Sequence, residues 1–177
     1  MSSNLAKYAI WGIVILLVAG IFGRYLYQKP NYITGDNAAE IISKLPDGTD
    51  FKLSQLRGKY VLLDFWGSWC GPCVQEMPEV VALYQQFHNK TFVDATGFEV
   101  VSIGIERDAA RWQRAITNLG MVWPYQISDF TQFDNPIAKK YGIRVIPTKL
   151  FINPEGLIIG TNQTCTDIQK WLAEKQR

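Results

Sequence analysis

The stretch that decides the fold is YVLLDFWGSWCGPC, residues 60–73. Its first half, Tyr60–Trp66, is a nearly continuous apolar run, as expected of a central β-strand that is covered on both faces. Its second half is a turn that carries Cys70 and Cys73. Apolar residues then recur every three or four positions, as in an amphipathic helix: Val74, Met77, Val81, Tyr84 and Phe87. The stretch therefore predicts a buried strand, a turn with two cysteines and a helix.

The position of the two cysteines, between strand and helix, determines what they can do. A cysteine at a helix N-terminus faces unpaired N–H groups and the positive end of the helix dipole, so its thiolate is favoured. Pro72 suits the first helical position, because its missing N–H costs nothing there. Cys70 is then the exposed nucleophile, and Cys73 in the first turn can attack a mixed disulfide to release the product. We predict that Cys70 and Cys73 form a redox-active disulfide.

A zinc site is the alternative for one Cys-x-x-Cys motif. A structural zinc needs four ligands, but the sequence has no second pair at ligand spacing, and His88 is its only histidine. His88 lies near the end of its helix and is interpreted as a surface residue. The third cysteine, Cys165, precedes the last predicted helix and is interpreted as a buried small hydrophobe. We expect neither a metal nor a cofactor.

Length and composition indicate one folded domain with a short appendage. The chain has 177 residues, of which 47% are hydrophobic and 19% charged. Three of its 18 basic residues (Lys7, Arg24 and Lys29) lie in the first thirty positions, which leaves 15 basic and 16 acidic residues from Pro30 onward. No run of like charges or internal repeat suggests nucleic-acid binding. Three cysteines are too few for a disulfide framework, so the core must depend on hydrophobic burial.

The first residues predict a membrane anchor. Residues 8–23 include no charged residue, and Lys7 and Arg24 bracket them. As a helix this run covers roughly 24 Å, and snorkelling of Arg24 with the next three residues extends it to about 30 Å, the thickness of the hydrocarbon core. We expect residues 1–29 to form an N-terminal transmembrane helix. A signal peptide cleaved near Val18-Ala19-Gly20 and a buried core helix are the alternatives.

The rest of the chain is read as a lead-in followed by one α/β domain. Residues 30–50 hold turn formers and one possible short helix at 38–45, and form the linker and lead-in. Residues 51–177 alternate strands and helices before a closing hairpin, which predicts a mixed sheet. Strands are expected at 51–53, 98–105, 149–152 and 157–160, and helices at about 108–119 and 136–141. The last helix is expected to start at Thr166, where Thr166-x-x-Gln169 would form a capping box, and to bury Ile168, Trp171 and Leu172.

Two motifs give the chain a resemblance to the thioredoxin superfamily. The first is residues 61–73 with Pro78 five positions on, and the second is YGIRVIPT at residues 141–148. The resemblance covers roughly residues 51–177 and implies the thioredoxin fold, a mixed central sheet flanked by helices. The predicted anchor, Glu76 and the long segment 106–140 resemble the membrane-anchored TlpA/ResA type more than small cytosolic thioredoxins.

The resemblance also implies roles for residues near the cysteines. Pro147 matches the family's cis-proline beside the disulfide, and the backbone of Ile146 would pair with the substrate chain.

Trp66 and Trp69 flank the cysteines, where they either contact the substrate or cover the edge of the site. Arginines in the helix over residues 107–114 are interpreted as part of a solvated face.

Two acids are candidates for the proton relay. Asp64 matches the family's buried acid behind the cysteines, where burial raises the pKa of the carboxyl and fits it to take the proton of Cys73. Many TlpA/ResA-type chains instead rely on the acid at the position of Glu76, and this chain has both. A hydrogen-bonded core carboxylate remains the alternative for Asp64. An acid favoured by the helix dipole is the alternative for Glu76.

The function implied is thiol–disulfide exchange on proteins outside the cytoplasm, with the catalytic domain facing the periplasm or the cell exterior. Gly-Pro between the cysteines resembles thioredoxin, at about −270 mV, rather than DsbA, at about −120 mV, so we expect a reductase. Such a reductase needs electrons from a membrane-embedded donor, and the resemblance suggests cytochrome c maturation among its uses. The alternatives are a disulfide oxidant, a module that binds metal or a client protein, and a peroxiredoxin-like peroxidase. Against the last, Gly67 stands where peroxidases place Thr or Ser.

Overall fold

The computed structural model describes residues 2–28, 32 and 34–177. Strands and helices alternate through most of this part of the chain, with short 3-10 helices at Leu53–Leu56 and Gln132–Asp134. The strands are β1 (Ile42–Lys44), β2 (Asp50–Lys52), β3 (Tyr60–Trp66), β4 (Phe98–Gly104), β5 (Tyr125–Ile127), β6 (Thr148–Ile152) and β7 (Ile158–Thr161). The α-helices are α1 (Ser2–Gln28), α2 (Gly71–Phe87), α3 (Ala109–Asn118), α4 (Pro136–Tyr141) and α5 (Cys165–Lys175).

The central sheet has five strands in the order β5-β4-β3-β6-β7. Strand β3 runs parallel to β4, and β4 runs parallel to β5. Strands β6 and β7 add antiparallel pairs on the other side of β3. The predicted mixed sheet is thus confirmed. All seven residues of β3 are buried, because it is the central strand and both of its faces are covered.

Side chains of β3 alternate between the two faces of the sheet, and this alternation sets where its one acid points. Tyr60, Leu62 and Trp66 belong to the core that includes α2, α3 and α5. Val61, Leu63 and Phe65 belong to the opposite core, with α4 and residues 38–56. Asp64 falls between Leu62 and Trp66 in this alternation, so it lies on the face covered by α2.

Helix α2 confirms the predicted amphipathic helix, with its buried face turned slightly from the predicted one. Val74 and Val81 are only half-buried. The buried residues are Cys73, Met77, Val80, Leu83, Tyr84 and Phe87. This rotation brings Cys73 to the inner side of the helix, against the sheet.

Helix α1 at the start of the chain exposes apolar side chains, Leu16 at 74% among them. Among the described residues, no helix has both the length and the apolar character needed to cross a membrane. The predicted boundary between anchor and linker, at Lys29 and Pro30, lies outside the described residues.

The predicted helix at residues 38–45 is wrong. Residues 42–44 form β1 instead, which pairs antiparallel with β2. The turn between them is closed by the N–H of Leu45, which donates to the carbonyl of Thr49 at 2.8 Å, and by the N–H of Gly48, which donates to the carbonyl of Leu45 at 2.9 Å. Pairing with a strand eight residues away satisfies the backbone groups that the local pattern assigned to a helix.

Three details near the end of the chain also differ from prediction. Strand β5 was not expected; it is three residues long and is defined by its pairing with β4. The cap of α5 is Thr164 rather than Thr166, because its hydroxyl accepts the N–H of Asp167 at 3.1 Å. Trp171 was expected to be buried but is 42% exposed, with Nζ of Lys175 lying 5.7 Å from the ring centroid.

Candidate active site

The two cysteines of the turn form a disulfide at the start of α2. Cys70 is the N-cap of the helix, and Cys73 lies in its first turn, with 5.3 Å between their Cα atoms. The N–H of Cys73 points at Cys70 Sγ, 3.3 Å away. When the disulfide is open, that N–H and the helix dipole favour a thiolate at Cys70. The predicted pair is therefore closed here, but Cys70, which was expected to be exposed, is only 6% exposed in this closed form, because it packs at the start of α2 against the loop of Ile146.

A loop before β6 lies against the disulfide. Its Ile146–Pro147 peptide bond is cis, as the resemblance implied. The carbonyl oxygen of Ile146 lies 3.8 Å from Cys70 Sγ. Pro147 lines a small cavity together with Cys73 and Asp64. The chain thus brings residues 146–147 next to cysteines that are more than seventy positions earlier.

Behind Cys73 lie both of the acids that the sequence singled out. Asp64 is 2% exposed, and Glu76 lines the same small cavity from α2. Burial raises the pKa of Asp64 to about 7; Lys149 opposes this rise and Glu76 adds to it. Oδ2 of Asp64 has no hydrogen-bond partner among the described residues. This carboxyl can therefore exchange a proton near neutral pH.

Lys149 was missed by the sequence reasoning. Its side chain is 6% exposed, and Nζ forms an ion pair with Glu76. Lys149 is the cross-strand partner of Asp64 in the pairing of β3 with β6. The signal in the sequence was a lysine inside a strand otherwise composed of apolar residues and one threonine, TKLFI.

The two tryptophans beside the cysteines have different positions. Trp69 is 41% exposed, and its Nε1 donates to the carbonyl of Ile105 at 2.6 Å. The exposed part of this ring faces solvent directly before Cys70 in the chain. Trp66 is fully buried, so it covers the inside of the site and does not reach a client.

Glu106 is a further buried acid that the sequence reasoning missed. It is 1% exposed, and its carboxylate accepts the N–H of Ser68, two residues before Cys70. Arg111 donates from Nη2 to the carbonyl of the same serine at 3.3 Å, so this arginine does more than form a solvated face. The signal was an acid at the end of the apolar run of residues 98–105. Together these contacts hold the loop that precedes the nucleophile.

Gly67 stands where a peroxidase would carry a hydroxyl side chain. A Cβ atom at this position would lie 2.9 Å from Nε1 of Trp69 and 3.1 Å from Cδ1 of Ile146. A larger side chain would therefore displace two side chains that border the disulfide.

The remaining candidates lie away from the disulfide or behind it. Cys165 is a buried free thiol, and burial raises its pKa to about 11, so it stays protonated at neutral pH. The imidazole of His88 stacks on Tyr84 at 4.5 Å, at the far end of α2.

Comparisons with known proteins agree with this geometry. A family model described as Redoxin matches residues 33–168. The thiol-disulfide oxidoreductase ResA of Bacillus thuringiensis (strain Al Hakam) is 28% identical over 83% of this chain and 82% of its own length. ResA of Geobacillus thermodenitrificans is 28% identical over 90% of both chains. The thioredoxin domain of a thiol-disulfide oxidoreductase from Bacteroides vulgatus superposes with a TM-score of 0.69 at 25% identity, covering 80% of this chain and 99% of its own.

Proposed function

The chain belongs to the redoxin family, as a ResA/TlpA-type member of the thioredoxin superfamily, and from this premise we propose that it is a thiol–disulfide oxidoreductase acting on other proteins. The observation that carries the proposal is the disulfide between Cys70 and Cys73 at the N-terminus of α2. The carbonyl of Ile146 lies beside this disulfide, and we propose that an extended client chain pairs along this edge of the site. Exposed Trp69 borders the same edge.

The reaction that we propose is dithiol–disulfide exchange in two steps. The Cys70 thiolate attacks one sulfur of the client disulfide, and the other client sulfur leaves as a thiolate that takes a proton from solvent. Cys73 then loses its proton and attacks Cys70 Sγ, which closes the intramolecular disulfide and releases the second client thiolate. The client gains two electrons and two protons, and the dithiol becomes a disulfide.

The proton of Cys73 needs an acceptor, and two acids are candidates for it. Asp64 and Glu76 border the same cavity as Cys73. A general base works best when its pKa is close to the working pH, which suits the buried carboxyl of Asp64 at about 7. We propose that this acidic pair serves the second step.

We propose that the pair works in the direction of client reduction. The Gly71-Pro72 dipeptide between the cysteines is that of thioredoxin, whose potential is about −270 mV. The decisive measurement is the reduction potential of the full chain, equilibrated with dithiothreitol or glutathione buffers. A Cys165→Ala variant would keep the third thiol out of the readout. A value near −270 mV supports a reductase, a value near −120 mV reverses the direction, and the absence of a two-electron couple removes the proposal.

We further propose that residues 1–29 anchor the chain in a membrane, that residues 30–50 form a lead-in, and that residues 51–177 form the catalytic domain outside the cytoplasm. The uncharged run of residues 8–23 supports the anchor, and the resemblance to the ResA/TlpA type supports the placement of the domain outside the cytoplasm. A membrane-embedded donor would then supply the electrons. Retention of the full chain in membranes after extraction with alkaline carbonate is the expected result. Recovery of the full chain in the supernatant would contradict it.

For the client, we propose a cytochrome c precursor, on the resemblance to the ResA/TlpA type. Such precursors carry a Cys-x-x-Cys-His haem-attachment motif. An oxidised peptide with this motif should be reduced faster than the same peptide with a longer spacing between its cysteines. Equal rates for both peptides would contradict this choice of client.

A further inference from the structure

A buried lysine lies between the two acids behind Cys73. Lys149 is on β6, directly across from Asp64 on β3. Its ammonium forms an ion pair with Glu76 on α2. The three charged groups thus come from three elements and meet at the inner side of the active-site helix.

The ion pair involves only one of the two acids. The Glu76 carboxylate is bound to the ammonium, which needs a partner because an unpaired buried charge is costly. Asp64 is the more deeply buried acid, and its Oδ2 has no partner among the described residues. Glu76 is therefore paired with a cation. Asp64 instead keeps one oxygen without a hydrogen-bond partner, in the cavity that Cys73 also lines.

We propose that Lys149 is a positioning residue that divides the tasks of the two acids: it holds Glu76 in an ion pair and leaves Asp64 to take the proton of Cys73. The inference rests on the proposed function, since it concerns the second step of that exchange. In this step the S–H bond of Cys73 breaks, its proton moves to the Asp64 carboxylate, and the sulfur bonds to Cys70 Sγ. The client sulfur leaves with the electron pair of the broken mixed disulfide.

The groups that face Asp64 determine how it responds to pH. From β6 comes Lys149, and from α2 come Cys73 and Glu76. Burial raises the pKa of the Cys165 thiol on α5, and the charges of Glu79 on α2 and of Asp64 add to that rise, so these groups lie in the same region. Across the parallel pair, β4 contributes the neutral side chain of Ser102. The charges that act on Asp64 are thus those of Lys149, which favours its carboxylate, and Glu76, which disfavours it.

The test follows the two phases in which the reduced full chain reacts with a chromogenic aryl disulfide. The first aryl thiolate reports attack by Cys70, and the second reports the Cys73 step. In Lys149→Met, we expect the midpoint of the pH profile of the second phase to move to higher pH. The rate at pH 7 should fall about fivefold for the first pH unit of that move and about tenfold for each further unit. Lys149→Arg, which keeps the charge, should restore most of the rate.

Glu76→Gln distinguishes the two acids even if Lys149→Met fails to fold. If Asp64 takes the proton, the second phase persists and its midpoint moves to lower pH, because a repelling charge has been removed. If Glu76 takes the proton, the second phase is lost and the proposal is overturned. An unchanged profile in a folded Lys149→Met variant also overturns it.

Two controls separate these outcomes from other failures. Lys59→Met removes a partly buried ion pair with Glu99, whose atoms are 2.7 Å apart, and should leave both phases unchanged. If the wild-type chain shows no first phase, the proposed function fails, and not the role of Lys149 alone.

Discussion

Replacing Asp64 with asparagine should stabilise the protein, and the gain should depend strongly on pH. The pKa of this carboxyl is raised from 3.8 to about 7 by burial. Between these two values the folded state keeps a proton that the unfolded state has lost, so unfolding becomes easier as pH rises. Below about pH 3 both states are protonated, and the penalty vanishes. Asparagine remains neutral throughout and escapes it.

The size of the effect follows from the distance between the two pKa values. That distance is about 3 pH units, and each unit corresponds to 1.36 kcal/mol, so the wild-type penalty above pH 8 is about 4 kcal/mol. Relaxation around the charge lowers this figure, which is therefore a ceiling. Even half of it is a large part of the roughly 5–15 kcal/mol that stabilises a typical domain.

The assay is urea unfolding of the oxidised protein at pH 4 and pH 8.5, for wild type and Asp64→Asn. The difference in free energy of unfolding should be small at pH 4 and grow to a few kcal/mol in favour of the variant at pH 8.5. Asp50→Asn, at an exposed position on β2 where Asp50 pairs with Lys44, is the control and should change stability by about 0.5 kcal/mol or less, because exposed ion pairs contribute little. An Asp64→Asn difference that is the same at both pH values would refute the reasoning from burial.

Three further substitutions test the site. Cys73→Ser should trap a stable mixed disulfide at Cys70, visible by mass spectrometry, because no second thiol can resolve it; rapid client release would contradict this assignment. Cys165→Ala should lower the free energy of unfolding by about 1 kcal/mol in urea titrations and leave exchange rates unchanged, whereas a large rate loss would give this thiol a redox role. Gly67→Thr should slow exchange because its Cβ would lie 2.9 Å from Trp69, and should confer no peroxide consumption; a gained peroxidase activity would contradict it.

Much of the fold could be predicted from local sequence. The strand of residues 60–66, the turn with its two cysteines and helix α2 follow from apolar periodicity, a cysteine pair and a proline at the helix start. Helix α4 was predicted with its observed bounds, where Asn135 caps its N-terminus and Pro136 opens it. These signals are local, because each depends on residues within one or two turns of one another.

Local sequence did not predict the features that depend on contacts with residues far away along the chain. Strand β5 is too short to show a period, and it is a strand because β4 lies beside it. Residues 42–44 form a strand because β2 pairs with them. Glu106 has no local motif, and it is a site residue because the loop at Ser68 folds onto it.

By itself, the sequence determined the thioredoxin-like order of elements, the redox pair Cys70 and Cys73, and the proline loop beside them. Hydrophobic periodicity and turn chemistry indicate the order of strands and helices and the position of the cysteine pair, whereas the proline loop follows from the resemblance to the thioredoxin superfamily. Only the tertiary structure decided how the charges behind the cysteines are arranged. Lys149 is 73 positions from Glu76, and their pairing exists because β6 lies against β3 under α2. Because these groups are buried, their charges interact more strongly than they would in water.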